Sequence, residues 1–171
     1  MLSADSYLGF PDFRAVEKTF ALLTQLGGRA GRGDRPGRVV IQSYLPDHYA
    51  IRAALAQDDE GFVEQEMRFR RLFHYPPFTR MVQLLLRDRQ RERGMTRLEE
   101  IARRLRAQPR SSELRLTGPA PAPLERLRGE WRLQCLVRAE DGAMLRRAVR
   151  EAVGERPVPG LAIDVDPYQL L

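Results

Sequence analysis

Two consecutive prolines, Pro76 and Pro77, lie near the middle of this 171-residue chain inside Tyr75-Pro76-Pro77-Phe78. Proline has no backbone N–H to donate and pushes the residue before it out of the helical region. No helix runs through these four residues, so the chain reads as two parts with different periodicities. The tetrapeptide marks a boundary, with its aromatic pair pinning the junction.

Before that boundary the pattern is helical, with one exception. Residues 12–26 place Val16, Phe20 and Leu23 at helical spacing, with Asp12 as a cap and Gly27-Gly28 as a stop. Residues 38–44, Arg-Val-Val-Ile-Gln-Ser-Tyr, form a β-branched run that suits a buried strand. Between them stands Gln25-Leu26-Gly27-Gly28-Arg29-Ala30-Gly31-Arg32-Gly33. Glycines let backbone bend and approach a ligand, and guanidiniums present planar donors to phosphate oxygens. The residues suit a phosphate-contacting loop, and equally a solvated turn or an arginine–glycine arm on nucleic acid. Two more helices follow, one capped by Asp47 and one from about position 61 to 73, with Asp58-Asp59-Glu60 near its start. Phe62, Phe69 and Phe73 share one face of the second beside Met67, a core-packing pattern, while Arg68, Arg70 and Arg71 read as solvated. His74 has no partner in sequence that suggests metal or catalytic work.

After the boundary, strands and helices alternate. Residues 81–87 form a strand, 94–108 an amphipathic helix with Met95, Leu98, Ala102 and Leu105 inward, and 114–117 a short strand before a proline-rich connection at 118–123. Trp131, Leu133, Cys135 and Val137 alternate with polar residues in a third strand. A second helix covers 143–153, burying Leu145, Ala148, Val149 and Ala152, and Leu161, Ile163 and Val165 alternate in a last strand. The order β-α-β-β-α-β suits a four-stranded sheet with two helices on one face. Cys135 reads as a small core residue, and Trp131 as core or as a stacking platform. Asp164 and Asp166, with no histidine or third acid nearby, read as a solvated face rather than a metal site.

Composition narrows the function. The net charge of +6 favours a polyanionic partner, and Lys18 is the sole lysine, so the excess is carried by arginine. A single cysteine rules out an internal disulfide and a cysteine-cluster zinc site within this sequence. No apolar run approaches the roughly 18–20 residues of a membrane span, and no secretory signal is visible, so the expected setting is cytoplasmic without membrane contact. No Gly-x-x-x-x-Gly-Lys-Ser/Thr loop occurs, so this chain alone is not expected to hydrolyse ATP.

The glycine–arginine stretch resembles motif VI of superfamily-two helicases. Ala4-Asp5 and Pro11-Asp12-Phe13-Arg14-Ala15 resemble motif V as it appears in the primosomal protein N′ (PriA) family of replication-restart helicases. Three later signatures agree with that family: Tyr75-Pro76-Pro77-Phe78, the run from Gly118 through Pro123 into Arg128-Gly129-x-Trp131-x-x-Gln134, and the closing Ile163-Asp164-Val165-Asp166-Pro167. Phe10 departs from a common leucine and puts little in doubt.

The resemblance implies an α/β chain: residues 1–46 as the end of a second RecA-like helicase lobe carrying motifs V and VI, 47–78 as a helical connector, and 79–171 as a small C-terminal α/β domain. It implies Arg32 as an arginine finger, Arg29 beside it at the γ-phosphate, Gln25 sensing nucleotide or water, Gly28 allowing close approach, and Asp5 linking nucleotide state to DNA. ATP and Mg2+ are implied only together with upstream lobes, as is the family's zinc, held by an upstream cysteine cluster. The implied activity is ATP-dependent 3′-to-5′ unwinding at stalled forks in a bacterial, nucleoid-associated setting. Implied partners are forked and single-stranded DNA, the acidic tail of single-stranded-DNA-binding protein, and primosome proteins. Arg103, Arg104, Arg146, Arg147 and Arg150 are anion-contact candidates by charge alone. A stand-alone DNA- or protein-binding module without ATPase activity is the alternative.

Overall fold

The computed structural model describes residues 5–30 and 39–170 and divides into two compact units, one ending at Leu72 and the other beginning at Phe73. Tyr75-Pro76-Pro77-Phe78 therefore opens the second unit. No helix among the described residues is long and apolar enough to cross a membrane.

The first unit is helical: α1 (Asp5–Leu8), α2 (Ala15–Ala30), α3 (Tyr49–Ala56) and α4 (Asp59–Leu72). Asp12 initiates α2 by accepting from the Arg14 N–H at 3.0 Å while its other oxygen pairs with Lys18 at 2.9 Å. Ala15, Thr19 and Leu23 lie buried one helical turn apart. The helix does not stop at Gly27-Gly28 but continues to Ala30. A glycine costs only about 1 kcal/mol in a helix, less than three preceding turns can supply. Residues 39–44 contain a single bridge residue, Gln42, instead of the expected strand. Val40 is 80% exposed, so the β-branched run has no sheet to enter among the described residues.

The α3 cap is His48, not Asp47: its Nδ1 accepts from the Ala50 N–H at 3.2 Å. Asp58 caps α4 through the Gly61 N–H at 2.9 Å. Leu23, Ile51 and Ala54 form the small core, and Phe20 stacks on Phe62 with ring centroids 3.9 Å apart. The three phenylalanines expected on one helical face do not share one fate: Phe62 is buried, Phe69 of α4 is 40% exposed, and Phe73, 55% exposed, lies past the end of α4 in the second unit.

The second unit runs β1 (Arg80–Asp88), α5 (Arg91–Arg106), β2 (Arg115–Leu127), β3 (Glu130–Ala139), α6 (Gly142–Val153) and β4 (Leu161–Val165), with a 3₁₀ turn at Ser111–Glu113. The four strands form an antiparallel sheet in the order β2-β3-β1-β4. Val82, Leu84 and Leu86 of β1 and Leu133, Cys135 and Val137 of β3 point to one face. There they meet Leu98, Ile101 and Leu105 of α5 and Leu145, Ala148 and Val149 of α6. Both helices thus cover the same side of the sheet.

The proline-rich stretch is not a connection. β2 runs through it to Leu127, with register shifts between Thr117 and Ala120 and between Pro121 and Arg126. Because β2 is an edge strand, N–H groups at alternate positions need no partner, and Pro119, Pro121 and Pro123 stand two apart. The prolines also keep this edge from recruiting another strand. Gly118 is obligatory: φ is +94°, and a Cβ there would lie 2.7 Å from the Gln134 carbonyl oxygen.

Candidate functional site

The end of α2 carries the glycine–arginine stretch. Gln25 and Gly28 are exposed, and a Cβ at Gly28 would meet nothing within 4 Å. Arg29 lies in the last helical turn and Asp5 in α1, with side chains outside the described residues. Arg32 lies outside the described residues altogether. The structure thus presents Gln25 and Gly28 on an open helix end.

Not every arginine of this unit is solvated. Arg70 is buried, and its Nε donates to Glu66 at 2.7 Å while Nη2 reaches Glu17 at 2.7 Å. Glu66 also accepts from the Tyr49 hydroxyl at 2.5 Å. Burial, together with the adjacent Glu66 carboxylate, raises the Tyr49 phenol well above its ordinary value. Burial lowers His48. This network fastens α2, α3 and α4 together, with two carboxylates holding Arg70 inside the unit. An open groove of about 990 Å³ beside α3 and α4 mixes Arg52 and Arg68 with Asp47, Asp58 and Glu64, so it favours neither charge sign.

In the second unit the five charge-selected arginines separate into two groups. Arg103 and Arg104 both pair with Glu100, at 2.6 and 2.9 Å, which holds that carboxyl below its usual range. Arg146, Arg147 and Arg150 of α6 form no ion pair among the described residues. Asp141 builds this helix by accepting from the Ala143 and Met144 N–H groups, at 2.8 and 3.0 Å. Beside Arg146 and Arg150 lies a groove of about 250 Å³ floored by Val149 and Val153 of α6 and Ile163 and Val165 of β4. Ile163 and Val165 are 46% and 45% exposed, because β4 is the other edge of the sheet. An apolar floor with two unpaired guanidiniums at its rim suits an acidic segment with apolar side chains.

Sequence reasoning missed a cluster where β1 meets α5. The Asp88 carboxylate is enclosed and accepts from Arg93 at 2.7 Å, from Arg97 at 3.2 Å and from the Gln90 N–H at 2.9 Å. These donors, Arg93 foremost, hold Asp88 far below the usual carboxylate range. An aspartate at a strand end followed by arginines five and nine positions on was the available signal. Cys135 is fully enclosed, and burial pushes its thiol up to about 11, consistent with a core role. Asp166 pairs with Arg80 at 3.2 Å. Among the described residues no group of three His, Cys, Asp or Glu is placed to hold a metal ion.

The four-stranded antiparallel sheet backed by two helices belongs to a known class, a C-terminal domain of a primosomal protein: residues 71–168 match the family described as "Primosomal protein N C-terminal domain". Over its full length the chain is 34% identical to replication restart protein PriA of Bacillus subtilis, covering 22% of that protein. It is 38% identical over 81% of its length to PriA of Synechocystis, and 48% identical over 50% to PriA of Chlamydia pneumoniae, covering 16% and 11% of those proteins. The chain belongs to the PriA family, as a C-terminal part of such a protein.

Proposed function

We propose that this chain supplies the C-terminal portion of an ATP-dependent 3′-to-5′ DNA helicase that restarts stalled replication forks. One observation carries the reading: the chain matches replication restart proteins from end to end while keeping Gln25-x-x-Gly28-Arg29-x-x-Arg32 intact. On this reading residues 1–46 close a RecA-like lobe, and ATP with Mg2+ binds between that lobe and an upstream one. Arg32 stabilises the charge that develops on the departing γ-phosphoryl group, a contribution of about 10³–10⁵ in rate. Arg29 holds the same phosphate, Gln25 orients the nucleotide or water, and Gly28 lets phosphate come close to backbone. Its open surroundings support that last role. Asp5 ties nucleotide state to the DNA strand. The family's zinc belongs to an upstream cysteine cluster.

The second unit works on this reading as the partner-contacting part. The groove of Val149, Val153, Ile163 and Val165 rimmed by Arg146 and Arg150 takes the acidic tail of single-stranded-DNA-binding protein. What supports it is the combination of apolar floor and unpaired arginines.

Two experiments test the reading. In the complete enzyme, Arg32→Ala abolishes most DNA-stimulated ATP hydrolysis and spares DNA binding; retained turnover would sink the arginine-finger role. The double substitution Arg146→Glu, Arg150→Glu weakens capture of an acidic, apolar-ended peptide at least tenfold. Unchanged capture would return both residues to a solvated face.

A further inference from the structure

The two edges of the sheet differ in how open they are. β2 carries Pro119, Pro121 and Pro123, which leave it few donors for a further strand. β4 (Leu161–Val165) is the other edge and contains no proline. Its bonds to β1 fall on even-numbered positions at both ends. The Arg87 N–H donates to the Gly160 carbonyl at 2.9 Å, and the Asp166 N–H to the Met81 carbonyl at 2.8 Å. Successive residues of an antiparallel strand turn their N–H and C=O groups to opposite sides. Ile163 and Val165 therefore aim theirs away from β1, and no further strand lies there among the described residues.

The side chains of the same two residues add to this. Ile163 stands opposite Leu84 and Val165 opposite Val82, both core residues beneath the helices. Directly opposed residues share a face, so Ile163 and Val165 carry the apolar face out to the open edge, where nearly half of each remains exposed. Their flank is the groove of about 250 Å³ that Val149 and Val153 of α6 continue and Arg146 and Arg150 border. On the opposite face Asp164 stands exposed beside Gln83. An incoming strand thus meets apolar surface and cations on the α6 side and a carboxylate on the other.

We propose that β4 accepts an extended acidic peptide segment as an added antiparallel strand, with acidic and apolar residues at alternate positions facing α6. Peptide residues opposite Ile163 and Val165 exchange backbone bonds with them and also point their side chains to the α6 face. The residues that bond are therefore the residues that fill the groove. Carboxylates there meet Arg146 and Arg150, and an apolar side chain meets Val149 and Val153. Acids at the intervening positions face Asp164 and are disfavoured. Main-chain pairing supplies affinity and the alternate side chains supply specificity, as in other cases of strand addition. A second copy of β4 fits poorly: an antiparallel β4–β4 sheet puts two sets of Arg146, Arg147 and Arg150 on one side, with only Leu161, Ile163 and Val165 between them. Strand addition presupposes that an acidic segment docks in this groove, and it adds to that reading the partner's extended conformation and its spacing.

The test combines amide exchange with fluorescence binding of the full 171-residue chain to a labelled peptide, Ser-Glu-Ser-Ile-Ser-Glu-Ser. Binding slows exchange at Ile163 and Val165, whose amides face the open edge, and changes Ala162 and Asp164 little. N-methylation of the peptide's isoleucine or of either glutamate weakens binding about fivefold or more, the loss of one backbone bond. N-methylation of its serines leaves affinity unchanged, because those amides point away from β4. The isomer Ser-Ser-Glu-Ile-Glu-Ser-Ser, which moves isoleucine to the face opposite its acids, binds more weakly. If capture is lost in the double variant Arg146→Glu, Arg150→Glu yet does not depend on which amide is methylated, strand addition is wrong and acidic docking stands. Failure of wild type to capture the peptide at low salt would overturn both. Protection of Ile163 and Val165 that rises with chain concentration in the absence of peptide would overturn the proposal in favour of a second copy.

Discussion

Replacing Asp88 with asparagine keeps the side-chain shape and removes one charge from the joint between β1 and α5. The carboxylate there accepts three bonds from Arg93, at 2.7, 3.0 and 3.2 Å, one from Arg97 at 3.2 Å and one from the Gln90 N–H at 2.9 Å. Asparagine retains one acceptor oxygen, enough for Gln90, and presents an amide to the guanidiniums. Each charge-assisted bond is worth about 1.5–3 kcal/mol. Arg93 and Arg97 are partly in water, with side chains 58% and 29% exposed, and rehydrate when released. The net loss is therefore about 2 kcal/mol, that of one good charged bond rather than of five. For a unit of this size that lowers the unfolding temperature by about 8–15 °C. The sign with pH follows from the depressed carboxyl of Asp88. Its contribution is complete above the unfolded aspartate value, near 3.9, and fades as pH falls below that toward the folded value. The gap between wild type and Asp88→Asn is thus full at pH 7 and shrinks steadily below about pH 4. Trp131, the sole tryptophan and the register partner of Asp88, reports the transition by fluorescence. A gap that is absent at pH 7, or equally wide at pH 7 and in strong acid, would refute the ion-pair argument.

Two further substitutions probe each unit separately. Arg128→Asn places the preferred residue before Gly129 in a two-residue turn with both φ values positive, +52° and +83°. It raises the urea midpoint by about 0.5–1 kcal/mol equivalent with an unchanged m-value; a midpoint at or below wild type would refute the turn-strain argument. In the helical unit, Glu66→Ala strands the buried Arg70 and the Tyr49 hydroxyl, a loss of about 3 kcal/mol. Amide exchange across α3 and α4 then accelerates about 100-fold; exchange unchanged from wild type would show that Glu17 alone suffices for Arg70.

What the sequence exposes depends on whether the deciding interaction is local. β1, β3, α5 and α6 are legible because Val82, Leu84 and Leu86, or Leu98 and Leu105, repeat with the period of the surface they bury. The ends are less so. Gly27-Gly28 reads as a stop, yet a helix tolerates glycine when its earlier turns are secured by Asp12 and Leu23. Pro119, Pro121 and Pro123 read as a connection because sequence does not say that β2 will be an edge, the one place where a missing N–H is harmless. The run at 38–44 reads as a strand because β-propensity describes a residue's fit to a sheet and cannot guarantee a neighbour to pair with. For the candidate site, the glycine–arginine pattern is visible as a motif, but its Arg29 side chain and Arg32 fall outside the described residues.

Charge is where one-dimensional reading fails most, and the failure has a single cause. With 29 basic and 23 acidic residues, almost any arginine has an acid within a few positions, so proximity in sequence does not separate the held from the free. Arg70 and Arg71 are neighbours on α4, yet Arg70 lies buried against Glu17 from a different helix. Arg103 and Arg104 share one glutamate, while Arg146 and Arg150, equally basic in sequence, face an apolar groove. Arg132 alternates in β3 as a solvent-facing residue and is nonetheless buried, across from a second arginine. For Arg70 and Arg132 the deciding neighbour comes from another helix or strand, whereas Arg103 and Arg104 are held within α5 itself. The fold holds Arg70, Arg93, Arg97, Arg103 and Arg104 in internal ion pairs, whereas Arg146 and Arg150 stand beside the α6–β4 groove with no ion pair among the described residues. The rim of the α6–β4 groove, rather than the net charge of the chain, is therefore where the proposed acidic partner is to be tested.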